Sequence, residues 1–306
     1  MSNNTVMGVG AHCDDIEFLF GGTLVKYREK YDYHVCYVES TNNMAGQWAI
    51  NSAGKPELPP GNYNRVKKEP FPGRFCWEVP WFIEMPQRKK EAADAAACYG
   101  TTPIFLDYPQ RHYWDEKLKK IDLVYGAPRP TCIPENAPTI VTAHDSPAEV
   151  AKTAQLILKE DPEVIITHAP VDYTEEHTAT SHLIRKAFLA AKKQGYDGSL
   201  IFAHPVTSGW YGNFFDQFDT FIDITGFELK KLEVLGKHAC QVPYPEYLDI
   251  EDIPRGKRCG VGAAELFYVF EMSETRDGYL TQELKNNFKP VKTDRRCTDK
   301  GIGYER

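Results

Sequence analysis

The order of three segments near the start of the chain restricts the fold most strongly. Residues 5–11 form a short apolar run of small and β-branched side chains, which is typical of a buried strand. A helical pattern follows at residues 23–30, and residues 34–39 have the composition of a second strand. A strand, a helix and a strand in this order predict a parallel βαβ unit.

The alternation of strands and helices continues along most of the chain. Ser146, Pro147 and Glu149 form a helix start, because serine can cap, proline fits the first turn and glutamate stands three residues after the serine. We therefore expect an α/β fold with a Rossmann-like, mostly parallel sheet and helices on both faces. Further helices are predicted at 88–99, 115–123, 146–160, 178–193 and 227–240, and further strands at 103–107, 163–167, 200–204, 220–224 and 266–270.

Two stretches interrupt this alternation. Residues 44–86 are rich in proline, glycine and aromatic side chains and are too long for an ordinary connection, which favours a lid or a substrate wall. Residues 242–306 mix loop and strand and are expected to form an irregular C-terminal extension of one domain spanning 1–306. Several aromatic side chains could stack on sugar rings or could simply pack a loop onto the domain. These are Trp48, Tyr63, Trp77, Trp81, Trp210 and Tyr211.

Composition restricts the kind of molecule that the protein is expected to bind and the cellular compartment in which it is expected to work. A net charge of -7 disfavours a general nucleic-acid binder, because such proteins usually present a basic face. The eight cysteines are spread singly without a C-x-x-C pair, which favours a reducing, cytoplasmic setting. The first residues lack the pattern of a signal peptide, and no apolar run approaches the roughly 20 residues that span a bilayer. The oligomeric state is left open, with a homo-oligomer among the alternatives.

An acidic turn directly follows the first predicted strand. It has the sequence A-H-C-D-D-I-E at residues 11–17, and the carboxyl end of a strand is where open α/β sheets place their active sites. Carboxylates packed so closely cost free energy unless a cation or a catalytic task compensates. His12 and Asp15 are three residues apart and could both bind a metal ion, and Asp14 could accept a proton from metal-bound water. A solvated acidic turn is the alternative.

A third metal ligand has to come from another segment. His177 stands after a later predicted strand and near the start of the next helix, which places it at the same sheet edge. His182 is five residues further on and about 140° round that helix, so it is not expected to share the metal. His168, at the strand end, is either part of the site or a hydrogen-bonded core residue. Asp172 either orients His177 through its second ring nitrogen or caps the following turn.

These segments together resemble the LmbE/PIG-L family of zinc N-acetylglucosaminyl deacetylases. The family motif A-H-P-D-D-x-E, followed by G-G, is matched at 11–17 and at Gly21 and Gly22. Three later family motifs follow in the same order: the R-x-x-E helix at 88–91, the T-H strand end with D-x-H-P-D-H at 167–168 and 172–177, and the K-x-x-x-L-x-x-H-x-S-Q helix at 231–241.

The resemblance implies a zinc-dependent hydrolase that removes the N-acetyl group from a small N-acetylglucosamine-type substrate. His12, Asp15 and His177 would hold the zinc ion, which would act as a Lewis acid on the acetamide carbonyl. Asp14 would be the general base for a metal-activated water. Zinc is implied by the family and by the ligand types.

The resemblance also implies roles for two residues beside the metal centre. Glu17 would orient the loop or a ligand histidine, and its alternative is a first-turn carboxylate that favours the helix dipole. Arg88 would reach the sugar or a neighbouring anionic group, and its alternative is a solvated helix residue.

This chain departs from the family pattern at two positions. Cys13 replaces the proline of the first motif, and the loss of the ring is expected to loosen the turn. Thr174 replaces the histidine that is taken to stabilise the oxyanion or to protonate the leaving amine. His204, at a predicted strand end, is our candidate for that role, with His168 and His238 as alternatives.

Two other functions fit the same pattern of residues. One is a catalytically weak metal- and sugar-binding protein on this scaffold, because Thr174 carries no charge. The other is a metal-dependent amidase acting on a non-sugar amide. A nucleotide-binding Rossmann domain is excluded, since no G-x-G-x-x-G opens the first helix and Asp14 and Asp15 would repel a pyrophosphate.

Overall fold

A seven-stranded sheet with helices forms the core of the computed structural model. The structure describes residues 4–46, 48–50, 74–76, 79–115, 119–122, 133, 137–172, 174–205, 218–241 and 251–290. The strands are β1 (Thr5–Gly10), β2 (His34–Thr41), β3 (Trp48–Ile50), β4 (Arg74–Cys76), β5 (Ile104–Tyr108), β6 (His112–Asp115), β7 (Lys119–Asp122), β8 (Val164–His168), β9 (Ser199–Ala203), β10 (Thr220–Asp223) and β11 (Ala264–Glu271). The helices are α1 (Asp15–Tyr31), α2 (Trp81–Cys98), α3 (Ile140–Ala143), α4 (Pro147–Glu160), α5 (Glu175–Lys192), α6 (Glu228–Leu235), α7 (Ile253–Cys259) and α8 (Tyr279–Asn286).

The strand order places the first strand at the centre of the sheet. The order is β10-β11-β9-β8-β1-β2-β5, and the five strands from β9 to β5 pair in parallel. Only β11 runs antiparallel to its neighbours β9 and β10 within this sheet. After β1, the chain adds β2 and β5 on one side of this strand. It later adds β8 and β9 on the other side. A switch of direction therefore lies between β1 and β8, where open α/β sheets bind their ligands.

Helices cover both faces of the sheet, as the alternation of side chains along β2 shows. Tyr37 is buried in a cluster with residues of α1 and α2, whereas Val38 is buried with residues of α4 and α5. Successive residues of a strand point to opposite faces, so the two clusters are the two sides of one sheet. The predicted α/β fold, with a mostly parallel sheet, is confirmed.

The first helix begins earlier than the sequence suggested and contains both glycines of the G-G pair. It starts at Asp15, and Phe20, with φ of -150°, kinks it. Glu265 of β11 accepts the N–H groups of Gly22 at 2.9 Å and Thr23 at 2.7 Å, so it satisfies backbone donors near the kink. Lys231 of α6 lies 2.7 Å from the same carboxylate, which connects the late lysine motif to the first helix.

We expect Gly22→Ala to destabilise the protein by about 1–3 kcal/mol, because the methyl group overpacks the core. The added carbon would stand 2.8 Å from Ile224 Cδ1 and 3.0 Å from Glu265 Oε1. Gly21→Ala is the matched control, since its nearest contact would be Tyr99 Oη at 3.3 Å. Thermal unfolding of both variants measures the difference. Equal midpoints would contradict the overpacking argument.

Several predicted elements differ from the structure. The helix expected at 115–123 is wrong: its described residues belong to the hairpin of β6 and β7, in which antiparallel pairing of Tyr113 with Ile121 overrides the local preference. The helix expected at 227–240 ends at Leu235, and a short 3₁₀ turn follows at Ala239–Gln241. By contrast, the Ser146 cap is confirmed, because its side chain accepts the Glu149 N–H.

The two atypical stretches contribute regular structure where they are described. In the 44–86 insert, β3 pairs antiparallel with β4, and α2 begins at Trp81, before the predicted start. In the 242–306 region, β11 enters the main sheet between β9 and β10. Among the described helices, none is long and apolar enough to cross a membrane. The aromatic residues Tyr63, Trp77, Trp210 and Tyr211 lie outside the described residues.

Candidate metal centre

The predicted ligands meet at the carboxyl ends of β1 and β8. The acidic turn at 11–17 follows β1, and the segment 172–177 follows β8, which pairs directly with β1. His177 lies in the first turn of α5, as the start of this helix at Glu175 brings it to the sheet edge. Two segments that are far apart in sequence therefore form one site at the switch point.

Three side chains converge with the spacing of metal ligands. His12 Nδ1 lies 3.2 Å from His177 Nε2 and 3.4 Å from Asp15 Oδ2, and His177 Nε2 lies 3.3 Å from Asp15 Oδ1. In a tetrahedral site with ligand atoms about 2.1 Å from zinc, two ligand atoms lie about 3.4 Å apart. The three groups are nearly enclosed but retain some exposure to solvent. Two imidazoles and a carboxylate fit a divalent metal with a position left open for water.

A second group, His168 with Asp172 and His177, is also close enough to be considered. However, the His168 and His177 rings are stacked, with centroids 4.1 Å apart and an angle of 19° between planes. Ring nitrogens hold a metal in the plane of the ring, so stacked rings direct their lone pairs side by side. The His12 and His177 rings are instead tilted by 55° and can converge. The geometry favours the first group.

The groups around His177 decide which of its ring nitrogens carries the proton. Asp172 Oδ1 lies 3.1 Å from His177 Nδ1, which favours a proton on Nδ1 and leaves Nε2 facing His12. Burial disfavours the charged ring, but the carboxylates of Asp15 and Asp172 raise the pKa of His177 well above its usual value. The local field therefore stabilises a positive charge at this point, either a proton or a metal ion.

Asp15 is held firmly in the turn that follows β1. Its Oδ2 accepts the N–H groups of Ala11 at 3.1 Å and His12 at 2.6 Å and lies 3.1 Å from His168 Nε2. Burial opposes ionisation, but the facing His177 and His168 rings hold the pKa of Asp15 well below its usual range. Asp15 is thus an anion whose Oδ1 is directed at His177.

Asp14 adopts an unusual backbone conformation beside the ligands. Its φ is +121°, a region that costs a non-glycine residue about 1–3 kcal/mol and is found mainly at functional sites. Its carboxylate is 15% exposed and lies 4.0 Å from Arg88 Nη2. Burial, and next the charge of Asp15, raise the pKa of Asp14 to about 7. A group of this kind can accept a proton near neutral pH.

Arg88 lies near Asp14 but is directed into the protein. It is buried, and it donates from Nη1 to the Ala45 carbonyl at 2.8 Å and from Nη2 to the Cys13 carbonyl at 3.1 Å. The loop that follows β2 and the acidic turn are thereby joined. The Cys13 N–H, which a proline would lack, donates to Asn43 Oδ1 at 2.8 Å and adds a second restraint on the turn.

Glu17 belongs to a buried hydrogen-bond network on the core side of α1. Its carboxylate accepts from Tyr37 and Tyr99, both at 3.2 Å, and lies 2.9 Å from His238 Nε2. Within the described contacts, Glu17 therefore ties α1 to β2, to the end of α2 and to the segment after α6, rather than touching His12. His238, an alternative candidate for the proton donor that the family has at the position of Thr174, is the buried histidine that contacts Glu17.

The remaining candidates lie on neighbouring strands and on α5. His204 follows β9, which is two strands or about 10 Å from β1, and its Nδ1 is 3.0 Å from the Pro205 carbonyl. Thr174 is the N-cap residue of α5. Sequence reasoning missed Glu176, whose Oε2 lies 3.7 Å from His12 Nε2. Its position next to His177 was the available signal.

Glu39, at the end of β2, was also missed. It is fully buried, close to the other acidic groups of the site. Burial, followed by the charges of Asp15 and Glu17, raises the pKa of Glu39 well above its usual value. At pH values between its unfolded-state and folded-state pKa, folding therefore takes up a proton at Glu39.

We expect Glu39→Gln to stabilise the protein increasingly as pH rises. Because the pKa of Glu39 is higher in the folded than in the unfolded state, its contribution to the free energy of unfolding is greatest below about pH 4. This contribution then falls by about 1.4 kcal/mol per pH unit until the pH reaches the folded-state pKa. Glutamine has no such dependence. Urea unfolding at about pH 5 and about pH 8 measures the difference. The control is Glu233→Gln on the exposed face of α6; a gain that shrinks as pH rises would refute a neutral Glu39.

Solved structures with the same fold include several enzymes. The 4-carboxy-2-hydroxymuconate hydratase GalB from Pseudomonas putida KT2440 aligns with a TM-score of 0.58 at 18% identity, over 90% of this chain and 99% of that one. The N,N'-diacetylchitobiose deacetylase from Pyrococcus horikoshii aligns with 0.55 at 15%, over 90% and 89%. The zinc-inhibited form of the teicoplanin deacetylase Orf2 aligns with 0.56 at 15%, over 89% and 100%. At these identities the likeness establishes the fold.

Sequence comparison identifies the family. No curated protein matches the chain significantly. The pattern of the PIG-L family, described as GlcNAc-PI de-N-acetylase, matches residues 7–188. This match covers more than half of the chain and contains most of β1, the acidic turn, β8 and His177. The chain is a member of the PIG-L family.

Proposed function

We propose that this protein is a zinc-dependent N-deacetylase that hydrolyses the acetamide of a small N-acetylglucosamine-type substrate. The observation that carries the proposal is the convergence of His12, Asp15 and His177, with the Asp14 carboxylate close enough to interact electrostatically with Asp15 and His12. A metal-binding triad with an adjacent proton acceptor is the minimum equipment for hydrolysis by an activated water. The family match and the deacetylases among the structural relatives support the same reaction class.

The donor set is suited to zinc. Two imidazole nitrogens and one carboxylate oxygen are ligands that zinc accepts readily, and three protein ligands leave a position for water or substrate. A bound zinc ion would supply Lewis-acid polarisation of the acetamide carbonyl and lower the pKa of water. Asp172 would keep His177 in the tautomer that presents Nε2.

The protein side chains would move the protons. Asp14 would accept the proton of the attacking water, and the nitrogen of the leaving amine would take up a proton as the C–N bond breaks. His204 is our candidate donor. The Pro205 carbonyl only accepts, so the 3.0 Å contact keeps a proton on Nδ1, and donation to the amine would come from the imidazolium form, which carries a second proton on Nε2.

Acetate release from a panel of amides tests this function. The panel contains N-acetylated amino sugars with different aglycones and N-acetylated amino acids. We expect release from amino sugars that a chelator abolishes and zinc restores, and release slowed by about 100-fold or more in the Asp14→Asn variant. Release from amino acids alone would favour a non-sugar amidase. No release by protein shown to contain zinc would favour a binding protein.

A further inference from the structure

The turn that carries Asp14 is held from two sides by other segments. The Cys13 N–H donates to Asn43 Oδ1 at 2.8 Å, and the Cys13 carbonyl accepts from Arg88 Nη2 at 3.1 Å. Asn43 lies on the loop after β2, Arg88 lies on α2, and both are buried. We call Arg88 and Asn43 the Cys13 clamp.

The clamp acts on the peptide unit between Cys13 and Asp14, whose orientation is linked to the backbone angle φ of Asp14. The Cys13 carbonyl belongs to the peptide unit whose orientation defines φ of Asp14, which is +121°. A non-glycine residue remains in such a conformation only when its surroundings enforce it. The hydrogen bond from the Arg88 guanidinium therefore opposes relaxation of Asp14 to a negative φ.

The Cys13 N–H explains how the turn tolerates the loss of the family proline. A proline ring restricts the backbone but has no N–H to donate. Cysteine lacks the ring, and its N–H is instead accepted by Asn43. A hydrogen bond from the neighbouring loop thus takes over the restraint that the ring would impose.

The contacts of Arg88 favour this role over contact with a substrate. Its side chain is 3% exposed, and Nη1 donates to the Ala45 carbonyl at 2.8 Å. Glu84, one turn earlier on α2, lies 3.8 Å from Nη1. Burial raises the pKa of Glu84 to about 8, so at neutral pH it is mostly protonated and competes little with Asp14 for the guanidinium charge.

We propose that Arg88 and Asn43 are positioning residues that hold the Asp14 carboxylate in place for catalysis. This inference rests on the proposed deacetylase function, in which Asp14 is the base. A positioning residue lowers kcat when it is replaced, whereas a residue that binds substrate uniformly raises KM. The two roles are therefore separable by kinetics.

Two substitutions loosen the clamp from opposite sides. Arg88→Lys keeps the charge but loses the planar fork that reaches two carbonyls. Asn43→Gly removes the acceptor and tolerates the φ of 59° that Asn43 adopts. We expect each to lower kcat by about 100-fold with little change in KM, because small misplacements of catalytic groups have effects of this size. Lys90→Gln, at an exposed position of α2, is the control.

Double variants and crystal structures complete the test. Combined with Asp14→Asn, neither substitution should reduce kcat further, because the clamp acts through Asp14. Crystal structures of both single variants should show Asp14 relaxed to a negative φ. A raised KM at unchanged kcat, losses that multiply with Asp14→Asn, or an unchanged φ in both variants would overturn the proposal. The φ measurement needs no substrate, so an inactive wild-type protein would contradict the proposed function alone.

Discussion

Replacing Asp15 with asparagine is expected to lower the affinity for zinc by more than about 100-fold and to abolish acetate release. Groups that merely orient metal ligands are worth 10- to 100-fold in affinity, and a ligand should be worth more. The asparagine oxygen can still accept the N–H groups of Ala11 and His12, so the turn should keep its shape. Its amide nitrogen would then face His177 in place of Oδ1. Zinc content after dialysis, together with activity, measures the effect.

A matched control separates the loss of a ligand from the loss of a charge. Asp32→Asn changes the same residue type at an exposed position after α1, where asparagine tolerates the left-handed backbone. This variant should bind zinc as the wild type does. If Asp15→Asn retained full zinc affinity, the metal would have to lie elsewhere, and the group of His168, Asp172 and His177 would be the next to examine.

Replacing Asp14 with asparagine should leave zinc in place and lower kcat by about 10²- to 10⁴-fold, the range that general-base catalysis contributes. Asparagine has nearly the same shape, and it tolerates a positive φ better than most residues. Its amide cannot accept the proton of the attacking water. The variant should therefore keep its structure and its zinc, while the hydrolysis step is slowed. The zinc content measures the first effect, and kcat measures the second.

The outcome distinguishes two roles of the Asp14 carboxylate. Asp145→Asn, at an exposed position before α4, serves as the control for a change of the same type. Unchanged kcat for Asp14→Asn would mean that another group takes the proton. Loss of zinc from Asp14→Asn would instead indicate that Asp14 contributes to metal binding.

Local patterns were sufficient to predict the main elements and the three side chains that converge at the sheet edge. A strand that is buried on both faces needs a continuous apolar run, and its end is marked by the first charged residues. His12 and Asp15 come directly after the end of β1, and His177 lies at the start of the helix that follows β8. Because parallel strands share one direction, their carboxyl ends meet at one edge of the sheet, and distant ligands can be paired from sequence alone.

Short-range patterns failed where pairing between segments decided the structure. The described residues of 115–123 could be read as helical, but they pair in a hairpin, because cross-strand contacts outweigh weak local preference. The G-G pair similarly marked a break before a helix, whereas the helix continues through it. The reason lies on a remote strand, since Glu265 of β11 needs the space that Gly22 leaves open.

The sequence by itself determined the α/β alternation and the residues that converge at the sheet edge, because these depend on periodicity and on strand direction, and its motifs determined the family. Only the tertiary structure decided what each charged side chain touches. Glu17 faces His238, and Arg88 faces the carbonyl of Cys13, across more than 70 residues of sequence in each case. Such contacts depend on the rotation of each helix about its axis and on its distance from the sheet. Side-chain packing sets both as the chain folds.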